Sequence, residues 1–164
     1  MNSKTVASNK KARFDFFLEE NFIAGLLLEG WEVKSLREGK LNIKEAYIKD
    51  IKGELWLVGA RIDPAKYINQ KQQVNPERFR KLLLNQREIE KILFAISAKG
   101  QTCVPVKLFW RGHLAKLEIS LAKGKKNYDK RQAKKSADIK REQERALKKY
   151  KYTLSFSVRG RIWL

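Results

Sequence analysis

Apolar and polar residues alternate through the stretch 102–122, and this alternation constrains the fold more than any other feature of the chain. The tripeptide Arg111-Gly112-His113 interrupts it near the middle. Successive side chains of a β-strand point to opposite faces, so alternation is typical of a strand that buries one face. The stretch therefore predicts two antiparallel strands, 102–110 and 114–122, joined by a tight turn.

Two further regions show the same period of two. In 14–28 the phase of the alternation changes at Glu19-Glu20-Asn21, which predicts either two short strands or one long strand with a bulge. Segments 43–48 and 54–62 flank turn-forming residues at 50–53 and predict a second hairpin. Residues 64–76 are bounded by prolines and have no period, so they predict a surface loop.

Two segments have the residue signals of helices. Residues 30–37 lose the alternation and are followed by Gly39, which predicts a short helix that ends there. A stronger helix follows Asn85, an N-cap residue with Glu88 three positions later, and it stops at Gly100. The apolar residues of this second helix share one face: Ile89, Ile92, Leu93 and Ile96.

About six short strands and two short helices predict a fold that is mainly β with flanking helices, and 164 residues support one core. Such strands can pack as a sandwich or as a barrel, and a barrel is favoured because closure removes exposed edges. We predict a small closed antiparallel six-stranded barrel of the oligonucleotide-binding (OB) type over 14–122. The predicted appendages are a basic arm at 1–13 whose first half is disordered, a basic connector and helical tail at 123–151, and an apolar extension at 152–164.

The basic segment 123–151 contains thirteen Lys or Arg and four Asp or Glu, which is +9 of the formal charge of +19. Its helix propensity is good but its apolar stripe is thin, so we expect it to be frayed when free and helical when bound. A membrane-surface helix needs a strong apolar face, whereas this segment has one Leu and one Ile. A solvent-exposed helix whose charges only keep the protein soluble needs less net charge than this segment carries. Nucleic acid is therefore favoured over a membrane as the partner.

Tyr128 lies within this segment and has two interpretations of equal weight. The ring could stack on an exposed base while Lys126 and Lys130 hold phosphates. It could instead pack against the edge of the β domain.

Several kinds of site are excluded by composition. Cys103 and His113 are the only cysteine and histidine, so one chain can form neither a disulfide nor a multi-cysteine or two-histidine metal site. We expect Cys103 to be a buried hydrophobe and His113 a turn residue. With no catalytic constellation and no phosphate-binding glycine loop, we expect no enzyme, cofactor or metal.

The chain also lacks the signals of a membrane or secreted protein. No window of about 18 uncharged apolar residues is present. Residues 1–13 lack the apolar core of a secretory signal. We therefore expect a cytoplasmic protein that does not bind membranes.

Four motifs in register along the chain resemble those of one bacterial family. They are Asn9-Lys10-Lys11-Ala12-Arg13, Gly30-Trp31-Glu32-Val33-Lys34-Ser35-Leu36-Arg37, Arg80-Lys81-Leu82-Leu83-Leu84 with Arg87-Glu88, and Gly124-Lys125-Lys126 followed by Tyr128-Asp129-Lys130-Arg131. From about Asn9 to Lys149 the chain is similar to the SsrA-binding proteins, also called small protein B.

This resemblance implies an OB-type barrel and a non-enzymatic function in trans-translation. Such proteins bind the tRNA-like domain of transfer-messenger RNA (SsrA RNA) and are required for its stable association with stalled ribosomes. The protein takes the place of a tRNA anticodon arm, and its basic tail becomes helical in the empty mRNA channel of the small subunit. The implied partners are transfer-messenger RNA and the ribosome, including rRNA of the decoding centre, and the implied state on RNA is a monomer.

The resemblance also implies which residues contact transfer-messenger RNA. Asn9 and Leu83 match family positions that touch this RNA. Three cations beside Asn9 can add phosphate contacts: Lys10, Lys11 and Arg13. Lys34 and Arg37 match a basic motif that either contacts RNA or supports the barrel.

A second set of positions is implied to contact the ribosome. Tyr128 occupies a place where the family often has His or Tyr for stacking on rRNA of the decoding centre. The connector positions are Gly124, Lys125, Lys126, Tyr128, Asp129, Lys130 and Arg131. The tail positions are Lys134, Lys135, Ile139, Lys140 and Arg141.

Two departures from the family pattern stand out. Ile23 occupies a position where many relatives have a glutamate used in RNA recognition, so one hydrogen-bonding contact is missing or moved. Relatives usually end near the basic helix, whereas this chain continues through 150–164 with alternating apolar residues. This extension has no role that the resemblance supplies.

Two alternative functions remain open. A structural protein of the ribosome could use the same barrel and tail, and its presence in every ribosome, stalled or not, would favour that class. A nuclease or RNA-modifying enzyme would need clustered carboxylates for metal ions, whereas the acids here are dispersed. Magnesium-dependent turnover of RNA, abolished by a change at Glu19, would favour the enzyme.

Overall fold

The computed structural model describes residues 3–66 and 73–159, with the backbone alone described from 150 to 159. The chain divides into two compact units, Met1–Gly124 and Lys125–Leu164. The first unit carries the core, and the second is helical.

Within the described residues the first unit contains nine strands and three helices. The strands are β1 (Ser3–Ser8), β2 (Phe16–Leu26), β3 (Leu41–Asn42), β4 (Tyr47–Ile51), β5 (Glu54–Val58), β6 (Arg61–Ile62), β7 (Arg80–Leu83), β8 (Thr102–Arg111) and β9 (Leu114–Gly124). The helices are α1 (Lys10–Asp15), α2 (Gly30–Arg37) and α3 (Gln86–Lys99). The predicted class, mainly β with flanking helices, is confirmed.

The strands form a seven-stranded antiparallel sheet in the order β1-β8-β9-β2-β7-β5-β4 and a separate two-stranded sheet of β3 and β6. The sheet curls until Cα atoms of β4 approach those of β8 within 8 Å. No backbone ladder joins the two ends of the sheet among the described residues. The prediction of a closed six-stranded barrel is therefore wrong in strand number and in closure.

The concave side of the sheet holds the apolar core. Alternate residues of the central strands are fully buried, among them Ala24, Leu57, Leu108, Leu117 and Ile119. Burial of such side chains contributes about 1.5–3 kcal/mol each, so the core holds the curved sheet together.

The predicted β8–β9 hairpin is confirmed, with Gly112 in its turn at φ 62°. The region 14–28 contains one long strand, β2, whose register to β9 shifts between Leu18 and Asn21. The change of phase at Glu19-Glu20-Asn21 thus marks a bulge, the second of the two predicted forms.

Helix α3 has the predicted ends. The Glu88 carboxylate accepts a hydrogen bond from the Asn85 N–H at 3.1 Å, and Gly100 adopts φ 61°, the left-handed conformation that glycine accommodates best. Helix α2 is confirmed as well, and Gly39 follows its end at φ 75°.

Three local predictions are corrected. The first half of the arm, predicted to be disordered, belongs from Ser3 onward to strand β1 (Ser3–Ser8), which pairs with β8, and α1 follows it. The predicted strand 43–48 is replaced by β3 and β4, and the predicted strand 54–62 breaks into β5 and β6. The break falls at Gly59, whose φ is 76° and where an added Cβ would lie 3.0 Å from the Glu45 carbonyl oxygen.

Strand β7 was not predicted because its first residue, Arg80, is a fully buried cation. The Arg80 Nε donates to buried Glu32 at 2.7 Å, and its other nitrogens donate to the carbonyl oxygens of Ala60, Arg78 and Pro76. Burial lowers the pKa of Arg80, and the Glu32 carboxylate opposes this shift. The described parts of the predicted loop, 64–66 and 73–76, contain neither helix nor strand, and residues 67–72 lie outside the described residues.

The second unit contains one helix, α4 (Asn127–Arg159), which confirms the predicted helical tail. A helix of 33 residues is about 50 Å long. The helix continues into the predicted extension as far as residue 159, and residues 160–164 lie outside the described part of the chain.

Candidate nucleic-acid interface

The end of the basic arm forms the first part of helix α1. Lys10, Lys11 and Arg13 are exposed there, and Lys11 pairs with Glu45 at 2.5 Å. The Glu45 carboxylate raises the pKa of Lys11, so this ammonium is charged at neutral pH. The three cations thus form a positive surface that can hold phosphates.

Asn9 lies underneath this surface rather than on it, because its exposed fraction is 1%. Its Nδ2 donates to the carbonyl oxygens of Ile43 at 2.9 Å and Pro105 at 3.1 Å. Its Oδ1 accepts from the Ala12 N–H at 3.0 Å, and its own N–H donates to Val106. The side chain therefore caps α1 and joins β8 to the segment before β4, where the sheet has no backbone ladder.

Leu83 lies on the outer face of the sheet and is 50% exposed. It pairs with Gly25 of β2, where an added Cβ would lie 3.3 Å from the Leu83 Cβ. The absent side chain lets Leu83 lie across its neighbour strand. Leu83 and half-exposed Ile23 line a groove of about 610 Å³ that also contains Lys81 and Lys116. Exposed apolar side chains with cations beside them suit a base and its phosphates.

Lys34 and Arg37 are both exposed on α2, whose buried residues include Ser35 and Leu36. The Ser35 hydroxyl accepts from the Ala65 N–H at 3.1 Å. Packing of α2 thus depends on residues other than the two cations, and the placement favours a surface role for them.

The connector begins at Gly124, the last residue of β9, and leads into α4. The Asp129 carboxylate accepts from the Lys126 N–H at 3.2 Å, which stabilises the start of the helix. Tyr128 is 68% exposed, and its hydroxyl accepts from the Gln132 amide at 2.6 Å. Lys125, Lys130 and Arg131 flank it, the first two partly buried and the third exposed. The ring and the surrounding cations suit stacking on a base.

Farther along α4, Lys134, Lys135, Lys140 and Arg141 are exposed. Arg141 pairs with Asp138 at 3.5 Å, and Ile139 is 55% exposed. All the predicted tail residues thus lie on the surface of one continuous helix.

The described part of the chain does not have the geometry that other kinds of site require. No group of three or more His, Cys, Asp or Glu could hold a metal there. No described helix has the length and apolar character that a membrane crossing needs. Burial raises the pKa of the Cys103 thiol to about 12, and His113 is exposed in its turn.

The sequence predictions missed Lys81 and Lys116 as neighbours of Leu83, and they missed the burial of Asn9. Lys81 lies two residues before Leu83 on β7, so the local motif already contained it. Lys116 comes near Leu83 only through register across three strands, because both residues pair with Gly25. A signal for Asn9 was present, since asparagine followed by a short Lys-Lys-Ala run is typical of a helix N-cap.

A curved antiparallel sheet with Ile23 and Leu83 beside two lysines in a surface groove, together with a long basic helix, is typical of nucleic-acid-binding β proteins. Comparison with known proteins gives the family. The model of the family described as SmpB protein matches residues 6–149, and the chain belongs to this family.

Relatives of known name match this chain along nearly their whole length. The SsrA-binding protein of Pseudomonas syringae pv. tomato is 49% identical over 144 residues, which cover 88% of this chain and 90% of that protein. The SsrA-binding protein of Chromohalobacter salexigens is 47% identical over 148 residues, with 90% and 94% covered. A solved structure described as "tmRNA-SmpB: a journey to the center of the bacterial ribosome" matches with TM-score 0.61 and 38% identity, covering 74% of this chain and 85% of the other.

Proposed function

We propose that this chain is an RNA-binding adaptor of trans-translation. In this role it binds the tRNA-like domain of transfer-messenger RNA and secures its association with stalled ribosomes, taking the place of the anticodon arm. The stalled ribosome is then rescued and the nascent chain is tagged for degradation. Membership of the SmpB family over residues 6–149 carries this proposal.

Each of the two units would have its own binding function. The first unit would hold transfer-messenger RNA through Leu83 and its groove and through Lys10, Lys11 and Arg13 on α1. Asn9 is buried, so its part in RNA binding would be to hold α1 in place. Lys34 and Arg37 would contact the same RNA, since both are exposed.

The second unit would bind the ribosome. Its exposed cations along α4 fit the phosphates of rRNA in the decoding centre and mRNA channel, and Tyr128 would stack on a base there. The protein would act as a cytoplasmic monomer on RNA, without enzymatic activity, cofactor or metal.

Binding and tagging assays test this proposal. The full chain should bind transfer-messenger RNA far more tightly than an unrelated RNA of equal length. If about eight phosphates are neutralised, the slope of log K against log salt should be about −6 to −7. Polypeptides made from a stop-less message should be tagged only when the protein is present. Equal affinity for the two RNAs would contradict the proposal.

A further inference from the structure

The β4–β5 hairpin places aromatic and basic side chains alternately on the outer face of the sheet. In the antiparallel register Lys49 pairs with Trp56, and Trp56 pairs with Lys81 of β7. Directly paired residues of neighbouring strands have side chains on the same face. Tyr47 lies two residues before Lys49, hence on the same face, and is 44% exposed. We call these four residues, Tyr47, Lys49, Trp56 and Lys81, the hairpin face.

The hairpin face adjoins both predicted contact regions for RNA. Tyr47 lines a groove of about 230 Å³ with Lys11 of α1, and Lys44 lies there too. At the other side, Lys81 lines the groove of about 610 Å³ that contains Leu83. The four residues therefore form a continuous path across β4, β5 and β7 from the α1 cations to Leu83.

The Trp56 side chain has an energetic cost that a ligand would offset. The indole N–H of Trp56 is buried and has no hydrogen-bond partner among the described residues. A buried donor without an acceptor is costly, and a base or phosphate oxygen could satisfy it after a small side-chain shift.

The acidic groups of this region are already engaged within the protein. Glu45 pairs with Lys11 and Glu54 pairs with Lys81, while the Asp50 carboxylate accepts from the Gly53 N–H at 2.9 Å. Lys49 and Lys52 are exposed. A polyanion approaching the face therefore meets exposed Lys49 beside Trp56, and on the other side it competes with Glu54 for half-buried Lys81.

We propose that the hairpin face is a further RNA-binding site, on which unpaired nucleotides stack on Trp56 and Tyr47 while Lys49 and Lys81 hold their phosphates. Alternation of aromatic and basic side chains on a sheet is how single strands are bound without reading their sequence. This inference rests on the proposed function, because the RNA that crosses the face would be the one bound at Leu83.

Two variants of the full chain separate the two kinds of contact. W56L removes a stacking surface, so it should weaken binding of transfer-messenger RNA about fivefold or more and leave the salt slope unchanged. K49M keeps the aliphatic stem and removes the charge, so it should make the log K against log salt slope shallower by about 0.7–0.9. The controls are F94L, an exposed aromatic of α3, and K99M, an exposed lysine of the same helix.

Folding of each variant is checked by circular dichroism, and K49M keeps the test valid if W56L fails to fold, because Lys49 is exposed. The site would be overturned if W56L and K49M both bound transfer-messenger RNA with affinities within twofold of the wild type and with the wild-type salt slope. Loss of affinity in W56L with no change of slope in K49M would overturn it too, since the face would then hold no phosphate. The proposed function fails separately, by equal affinity of the wild type for transfer-messenger RNA and an unrelated RNA.

Discussion

Ile23 of β2 lies directly opposite Glu118 of β9 in the antiparallel ladder. The Glu118 carboxylate accepts from the Asn21 amide at 2.9 Å and pairs with Lys107 at 3.1 Å. Like charges directly opposite each other destabilise a sheet. An isoleucine at position 23 is thus compatible with an acid on the next strand, and the carboxylate of this region lies at 118.

Introducing a glutamate at position 23 tests this relationship. We expect I23E to lower the free energy of unfolding by up to about 1 kcal/mol, because the new carboxylate faces Glu118. In the E118Q background the same change should cost less. Urea denaturation of the wild type, both single variants and the double variant measures the coupling. Additive effects within about 0.3 kcal/mol would show that the two positions do not interact.

Gly25 is expected to control RNA affinity through Leu83. In G25A the new methyl group would lie 3.3 Å from the Leu83 Cβ, so Leu83 must move. Strain of about 1 kcal/mol at a contact residue corresponds to a loss of affinity of about fivefold. The control is G30A, since nothing lies within 4 Å of a Cβ at Gly30. If G25A and G30A bound transfer-messenger RNA equally well, Gly25 would not control the affinity of this site.

Replacement of Asn9 is expected to affect the stability of the fold more directly than it affects RNA binding. N9A leaves the Ile43 and Pro105 carbonyl oxygens without their shared donor and removes the cap of α1, so it should cost about 2–4 kcal/mol. N42A is the control, since exposed Asn42 accepts only from the Lys44 N–H at 3.0 Å. Folded N9A should keep the salt slope of the wild type, because no phosphate contact is lost. A shallower slope would instead show that the α1 cations are displaced, because the slope counts the phosphates that Lys and Arg neutralise.

Cys103 should make stability depend on pH in the alkaline range. Burial raises its pKa from 9.0 to about 12, so above pH 9 the unfolded chain loses this proton more readily than the folded one. The neutral thiol's contribution is complete below pH 9 and is lost as the pH rises to about 12, by up to about 4 kcal/mol. The difference in unfolding free energy between wild type and C103A should shrink over that interval. A constant difference would contradict the assignment.

The tail should be separable from the RNA-binding domain. A chain ending at Asp129 retains all described strands, so it should bind transfer-messenger RNA with nearly full affinity and lose tagging of stop-less messages. Tagging and binding are measured on the same preparation. Loss of both activities would mean that the RNA site extends into α4.

Elements with local signals were predicted from the sequence, and elements made by distant partners were not. Helix α3 has its cap, its apolar face and its terminal glycine within sixteen residues, from Asn85 to Gly100. Strand β1 has no such pattern and forms because β8 offers it an edge. Strand β7 begins with an arginine whose burial depends on the Glu32 carboxylate, 48 positions earlier, and on three backbone carbonyl oxygens.

The candidate site follows the same division. Motifs supplied Leu83 and the α1 cations, whereas the hairpin face depends on register among β4, β5 and β7. Trp56 in isolation looks like a core residue, because a strand pattern does not say which face meets solvent. The resemblance placed Asn9 among contact residues, but only the folded backbone puts Ile43 and Pro105 within its reach.

The two hydrogen bonds by which Asn9 links Ile43 to Pro105 also affect self-association of the protein. A sheet whose ends are not linked by a backbone ladder retains two edge strands, β1 and β4, with free peptide groups that a second chain could extend. One buried amide group helps to keep those edges turned toward each other. Its loss would therefore expose a template for intermolecular pairing, so aggregation could accompany the loss of stability.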